Sequence, residues 1–385
     1  APSQELIAKG FAVRKDVVAA VQERAAVIRA LAPAAAHFLP GGHALQEGQI
    51  WHRPGMEWTL ERLASAGWQD FYHGEIAGKI ADHLARTGGI LTRADLAAYQ
   101  AHVAPAVEIR CGEAHAFTAP LANGGVSAFS AMLMLHELKA PRPSDPMHWH
   151  LLAEVMKIVW RDRLRYLGDP AKAKIDWERL LRSSYVDERV AKLRKSPHSV
   201  DAAMSPPPAP GPGTIHISTA DGAGNIVAIT ISHGGSFGSC VTVPGTGITL
   251  GHGMCRFDPH SGLPNSVAPG KRPLNNVCPM ILRQPGRDVG FGMRGGRRIV
   301  SVIPAAALQL LQGGELQEVA ASARLHTEGY EPILTAKLPP AIAKEMEKMG
   351  HHLTEIQAVG GTTNFVSRSS DGRLESASTA FATGV

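Results

Sequence analysis

Ser205-Pro206-Pro207-Pro208-Ala209-Pro210-Gly211-Pro212-Gly213 runs straight into Thr214-Ile215-His216-Ile217-Ser218, and that junction decides the fold. The first half suits neither a helix nor a central strand, because proline lacks a backbone donor and glycine adds freedom. The second half alternates like a strand. A turn follows at Asp221-Gly222-Ala223-Gly224-Asn225, then a second apolar strand, Ile226–Ile231. A loose spacer set against a strand that begins with Thr suggests a chain cut between Gly213 and Thr214. Thr214 then becomes a new N-terminus. Its hydroxyl is a poor nucleophile unless a base takes the proton. A free α-amine on the same residue, with an ordinary pKa of about 7.7–8.0, can serve, and it exists only once the bond is broken. The plainer reading is a strand threonine behind a proline linker, since threonine is common in strands.

The 385 residues, 44% hydrophobic, suffice for one large domain or two smaller ones. No apolar run is long enough to span a bilayer, so no membrane partner is expected. The net charge is +5, but the basic residues are scattered, as in Trp160-Arg161-Asp162-Arg163-Leu164-Arg165. A nucleic-acid footprint would need a basic stripe and a recognisable module, so nucleic acid is not expected either. Cys111, Cys240, Cys255 and Cys278 contain no C-x-x-C pair. Structural zinc and a dense disulfide framework are disfavoured; buried free thiols are expected, with one disulfide left open. The chain starts with Ala rather than Met, which leaves room for a removed segment. The compartment stays open: the cytoplasm is favoured, the periplasm or exterior if a signal was removed.

Residues 1–135 read mainly as helices. Asp16–Ala32, Trp58–Gly67 and Glu75–Thr87 have helical spacing, and Thr92-Arg93-Ala94-Asp95 has the pattern of a capping box. Ala104–Pro120 holds strand-like runs. Pro146–Leu167 reads as one long helix stopped by Gly168-Asp169-Pro170. Residues 195–213 read as a loop ending in the proline-rich linker. Beyond Thr214 the pattern changes to short strands and glycine turns, with helices at Ile299–Leu311, Leu316–Ala323 and Pro340–Met349. The shift at residue 213 marks either two domains or two pieces of one domain that is cut after folding.

Gly290-Phe291-Gly292-Met293-Arg294-Gly295 matches G-x-G-x-x-G, but the acids beyond it, Glu315 and Glu318, lie in helical sequence rather than on a strand. The better use of this stretch is Gly295-Gly296 at a helix N-terminus, where unhindered N–H groups suit an oxyanion. Arg294, Arg297 and Arg298 flank it and suit a substrate carboxylate or a solvated cluster. His148 and His150, like His351-His352, bring no third ligand at a metal spacing and read as surface or helix-start residues, so no metal is expected. There is no G-x-S-x-G elbow.

Together these segments resemble the γ-glutamyltransferase (γ-glutamyl transpeptidase) family. The resemblance runs through Leu60–Ala64, Phe71–Ala77, Gly88–Leu96, Leu152–Lys157, Asp162-Arg163 to Pro170, Thr214–His216, Gly224-Asn225, Phe237–Ser239, Lys271–Leu274 and Gly295-Gly296. It implies an α+β fold, a four-layer αββα sandwich of the N-terminal nucleophile hydrolase type with large and small subunits interleaved. It puts autocleavage between Gly213 and Thr214. Residues 1–213 become the large-subunit portion and 214–385 the small one, both in one domain and associating after cleavage. Thr214 is implied as nucleophile and, through its amine, base. Ser232 falls on a second hydroxyl that orients it, and Gly295 and Gly296 fall on the oxyanion glycines. No cofactor is implied.

The departures are informative too. The chain begins inside the family pattern, so the family's N-terminal portion, with a substrate-binding Arg, is expected to be absent. Gly234 and Gly253 replace an Asn and a Gln or Glu, Arg256 replaces an Asp that pairs with the substrate ammonium, and Asn275 and Asn276 replace two serines. An acid-to-Arg change repels an ammonium. The expectation is therefore a self-processing Thr amidohydrolase acting on a small amide substrate with a carboxylate and no α-amine. Arg256, Arg294, Asn275 and Asn276 are its candidate substrate contacts. A true γ-glutamyltransferase or glutathione hydrolase, and a truncated non-catalytic member, are the alternatives. Homo-oligomerisation is left open.

Overall fold

The computed structural model describes residues 2–195 and 213–379. The run Ser205–Pro212 lies outside them; Gly213 and Thr214 lie inside. The chain forms two compact units, Ala1–Val103 with His233–His252, and Ala104–Ser232 with Gly253–Val385.

The first unit is mostly helical. Lys15–Ala30, Met56–Ala66 and Glu75–Thr87 are its longer helices. The capping box forms as the sequence indicates, with Thr92 accepting from the Asp95 amide and Asp95 accepting from the Thr92 amide. Glu75–Thr87 buries Ile76, Ile80 and Leu84 along one stripe, the amphipathic pattern that drives a surface helix onto a core. Residues 233–252 are pinned within this unit where the Thr59 hydroxyl donates to the Thr246 carbonyl at 2.7 Å.

The second unit is layered. Beside a small three-stranded sheet (Arg324–His326, Ile333–Ala336, Leu353–Glu355), its strands include, in chain order, β1 (Val107–Cys111), β2 (Ala114–Thr118), β3 (Gly213–Ala220), β4 (Ile226–Gly234), β5 (Met280–Gln284), β6 (Arg287–Met293), β7 (Thr363–Ser369) and β8 (Leu374–Ser378). Six of them form an antiparallel sheet in the order β8-β7-β6-β5-β2-β1. Its longer helices are α1 (Gly125–Glu137), α2 (Pro146–Tyr166), α3 (Ser183–Lys195) and α4 (Ile299–Leu311), with shorter ones at Leu316–Ala321 and Pro340–Lys348. On one face of the sheet, Val289, Phe291 and Met293 of β6 join Phe129, Met132, Ile303 and Leu310 of α1 and α4 in one core. The opposite sides of α1 and α4 pack with α2 and α3 in a second core. Helices apolar all round are the kind buried between two layers.

The other face of the sheet carries the pair β3–β4, joined by the turn at Asp221–Asn225, whose Asp221 carboxylate accepts from the Asn225 amide at 2.9 Å. Side chains alternate along β6, so Gly290 and Gly292 face this pair. They leave room for it: a Cβ on Gly290 would meet Ile226 Cγ2 at 2.5 Å, and one on Gly292 would meet the His216 ring at 2.3 Å. Gly290 to Met293 is therefore strand, its glycines used for close approach and not for a phosphate loop. On the outer side of the pair, Ile215, Ile217, Val227, Ile229 and Ile231 are 45–55% exposed.

Of the four histidines read as surface or helix-start residues, His148, His150 and His351 are buried and His352 is exposed. His148 and His150 do start a helix, α2, but His148 Nδ1 donates to the Pro141 carbonyl at 2.7 Å and His150 Nδ1 meets His351 Nε2 at 2.9 Å. They are covered because the first turn of α2 packs inward. None of the four cysteines is in a disulfide; Cys255 is half-buried and the other three are buried.

Because Gly292 is filled by the His216 ring, Gly292→Ala should lower stability by about 1–3 kcal/mol, the cost of overpacking. Gly222→Ala, with nothing within 4 Å of the new Cβ, should leave it within about 0.5 kcal/mol. Denaturant unfolding of both variants checks this; equal midpoints would contradict the close approach.

Candidate active site

The inner face of β3–β4 is polar where the outer face is aliphatic. Thr214, His216 and Ser218 alternate inward along β3, and Thr230 and Ser232 along β4. Thr214 Oγ1 lies 2.8 Å from Ser232 Oγ, and His216 Nδ1 lies 2.8 Å from Thr230 Oγ1. Moving two residues on along β3 moves two back along β4, as an antiparallel register requires. Thr214 is only 4% exposed. The His216 Nε2 meets Ser218 Oγ at 2.8 Å, and burial pushes its pKa down to about 4, so the imidazole is neutral. Asn364 of β7 donates to the His216 carbonyl at 2.6 Å, which ties β3 to the sheet beneath.

Arg256 ends a short helical turn, Gly253–Arg256, and its Nη2 donates to Ser232 Oγ at 3.1 Å. The turn is clamped by Asn265, whose Nδ2 donates to the Arg256 carbonyl at 2.7 Å and whose Oδ1 accepts from the Leu274 amide at 2.9 Å. The same loop is anchored by Asp169, which accepts from the Arg272 amide and Nη2, each at 2.9 Å. So the segments Gly168-Asp169-Pro170 and Lys271–Leu274 meet, and their recurrence in the resemblance has a structural reason.

Beside Arg256 lies Arg163 of α2, fully buried, which the sequence reading did not single out as a site residue. Its Nη2 donates to the Asn275 carbonyl at 2.7 Å and Asn276 Oδ1 at 2.8 Å, and its Nη1 to Ser127 Oγ at 3.3 Å. Burial lowers its pKa to about 9, and the charges of Arg256 and Arg297 add to the effect. Burial also lowers Arg256. Asn275 Oδ1 accepts from the Asn276 and Val277 amides at 2.7 and 3.3 Å. Both candidate asparagines thus shape this loop, with Asn276 buried.

Gly295 and Gly296 lead from β6 into α4. Arg294 is held by its backbone, donating to Thr362 and accepting from Gly361 at 3.1 and 3.0 Å. Gly296 has φ +61, a left-handed conformation that favours glycine, and a Cβ there would meet nothing within 4 Å. Gly295 and Gly296 stand where β6 gives way to the short helical turn Gly296–Arg298 and then α4, with their N–H groups unhindered by side chains. Arg297, far from being a solvated charge, pairs with Glu328 at 2.9 Å, and Glu328 also meets His326 at 3.1 Å. Burial works to raise the Glu328 pKa, but the His326 hydrogen bond and the Arg297 charge outweigh it and hold the carboxyl below its ordinary value.

The gamma-glutamyltranspeptidase family model matches residues 1–384. An acylase ACY 1 proenzyme from Pseudomonas sp. (strain SE83) is 30% identical, over 98% of this chain and 68% of its own length. A glutathione hydrolase proenzyme from Pseudomonas aeruginosa is 29% identical, over 83% of this chain and 62% of its own. Cephalosporin acylase from Bacillus halodurans superposes with a TM-score of 0.86 at 24% identity, covering 98% of this chain and 71% of that one. The last likeness shows the fold, that of the N-terminal nucleophile hydrolases, as the resemblance implied.

His216 gives a pH prediction. Its pKa is about 4 folded and about 6.5 unfolded, so the unfolded chain gains a proton first as pH falls. The contribution to stability is intact above pH ~6.5 and is lost as pH drops towards 4. His37, also lowered to about 4 by burial and by Arg53, shares that window. The unfolding midpoint should fall across it, and His216→Gln should make the fall shallower. Identical slopes would refute the buried neutral imidazole.

Proposed function

Because the chain belongs to the γ-glutamyltranspeptidase family, we propose that it is a self-processing amide hydrolase whose nucleophile is Thr214 and whose substrate carries a carboxylate. The observation that carries this reading is the buried contact of Thr214 with Ser232 at the start of β3, with Arg256 on the far side of Ser232.

In the first stage Thr214 Oγ attacks the Gly213 carbonyl and the peptide shifts to an ester. Water then cleaves the ester, leaving a Gly213 carboxylate and a free Thr214 amine. In the second stage that amine takes the Thr214 hydroxyl proton as Oγ attacks the substrate amide. Ser232 orients the hydroxyl. Gly295 and Gly296 offer N–H groups to the oxyanion, removal of one such donor typically costing about 10²–10³ in rate. The leaving amine takes the proton, and water releases the acyl group. Arg256, with Arg294 as the weaker candidate, receives the substrate carboxylate, and Asn275 and Asn276 shape that wall. Residues 1–213 and 214–385 are the large- and small-subunit portions. Ile109, Phe129 and Met280 to Phe365 share one core, which supports the two pieces staying together after cleavage.

Relatives include both an acylase proenzyme and a glutathione hydrolase proenzyme. The cationic surroundings of Ser232 favour the acylase side, since an ammonium placed among Arg256, Arg163 and Arg297 would be repelled.

Intact mass of the purified chain should show two pieces parting at Gly213–Thr214, and Thr214→Ala one uncut chain. Glutaryl and γ-glutamyl p-nitroanilides differ only in the α-amine, and the glutaryl compound should be turned over at least about tenfold faster, the effect of about 1.4 kcal/mol of repulsion. A faster γ-glutamyl reaction would favour the family's transpeptidase activity instead, and an uncut, inactive parent the non-catalytic reading.

A further inference from the structure

Arg256 was weighed above as a substrate contact, but its observed partner is the hydroxyl that touches the nucleophile. A guanidinium has five donors and no acceptor, so in the 3.1 Å contact Arg256 donates and Ser232 Oγ accepts. The hydroxyl proton of Ser232 is thereby turned away from Arg256. Thr214 Oγ1, 2.8 Å off, is placed to accept it. In that arrangement the proton of Thr214 is not spent on Ser232, and Oγ gains a donor that stabilises the negative charge it develops on attack. The backbone carbonyl of Arg256 accepts from Asn265, which is buried, so the turn that presents the side chain is fixed. The groups around its charge are Cys255 on its own turn, Arg163 from α2 and Arg297 before α4, with Glu328 paired to Arg297.

We infer that Arg256 is a positioning residue for the nucleophile, acting through Ser232 to set the direction of the Thr214–Ser232 hydrogen bond. This rests on the reading of Thr214 as nucleophile. It goes beyond a carboxylate anchor, because a residue that sets the nucleophile acts on every acyl group and also on the Gly213–Thr214 bond, where no substrate carboxylate is bound.

The test is a double-mutant cycle of Arg256→Gln and Ser232→Ala, with Arg256→Lys as the conservative variant. Self-cleavage is followed by mass after cell-free synthesis of the full chain, and turnover with glutaryl and butyryl p-nitroanilides. Arg256→Gln should slow self-cleavage about tenfold, the worth of one hydrogen bond to a charged group, and lower kcat on both anilides alike. Arg256→Lys, still a cationic donor, should recover part of that loss. In the Ser232→Ala background, Arg256→Gln should cost nothing more. Normal self-cleavage by Arg256→Gln, a change confined to KM for the glutaryl compound, or additive costs in the cycle would each overturn the inference. If Arg256→Gln does not fold, as judged by its melting curve, Arg256→Lys in the same two backgrounds decides, since its effect must vanish without Ser232. Cleavage by Thr214→Ala, or none by the parent, would instead overturn the nucleophile reading.

Discussion

The β3–β4 pair lies directly on the glycine side of β6, and this close approach sets everything around it. A two-stranded pair alone is marginal in water. Here it is supported from below by a six-stranded sheet. The His216 ring and Ile226 occupy the space that side chains on Gly292 and Gly290 would fill. The same strand turns Val289, Phe291 and Met293 to the helices, and Phe291 stacks on Phe365 with ring centres 5.5 Å apart. One strand therefore closes the main core and seats the hairpin that carries Thr214 and Ser232.

The electrostatics around the hairpin are lopsided. Arg163, Arg256 and Arg297 gather near one another, and Glu328 is the carboxylate that pairs with Arg297. A buried charge is expensive unless its donors are satisfied. Arg163 meets that demand with carbonyl and hydroxyl oxygens rather than an acid. The charges of Arg256 and Arg297 both act on Arg163, and Arg256 also bonds Ser232, which fits the proposed preference for an anionic acyl group and runs against an ammonium.

Elements whose signals are local were legible in the sequence. Glu75–Thr87 shows its amphipathic stripe, the Thr92–Asp95 box its spacing, and Ile299–Leu311 its span after a glycine pair. Gly125–Glu137 was not read, because a helix buried on two sides has no polar stripe to give it a period. The resemblance put Ser232 beside Thr214, and the two hydroxyls are in contact; the linker pointed to Thr214 alone. Arg163 was visible only as part of a motif, since its partners Asn275 and Asn276 lie 112 and 113 residues away and nothing nearby marks it. His216 showed only as a polar residue at an inward position. The burial of His148 and His150 was hidden for a related reason: it depends on what packs over the start of α2.

The alternation along β3 also has a bearing on fidelity. Thr214 is buried on the inner side, while Ile215 is more than half exposed on the outer. Were the chain parted one bond later, the new terminus would be a residue with no hydroxyl, aimed the wrong way. One bond earlier it would be Gly213, with no side chain to react. Under the proposed self-cleavage the pleat would act as a proofreader: of three neighbouring bonds, a single break yields a terminus that carries a hydroxyl and points it at Ser232.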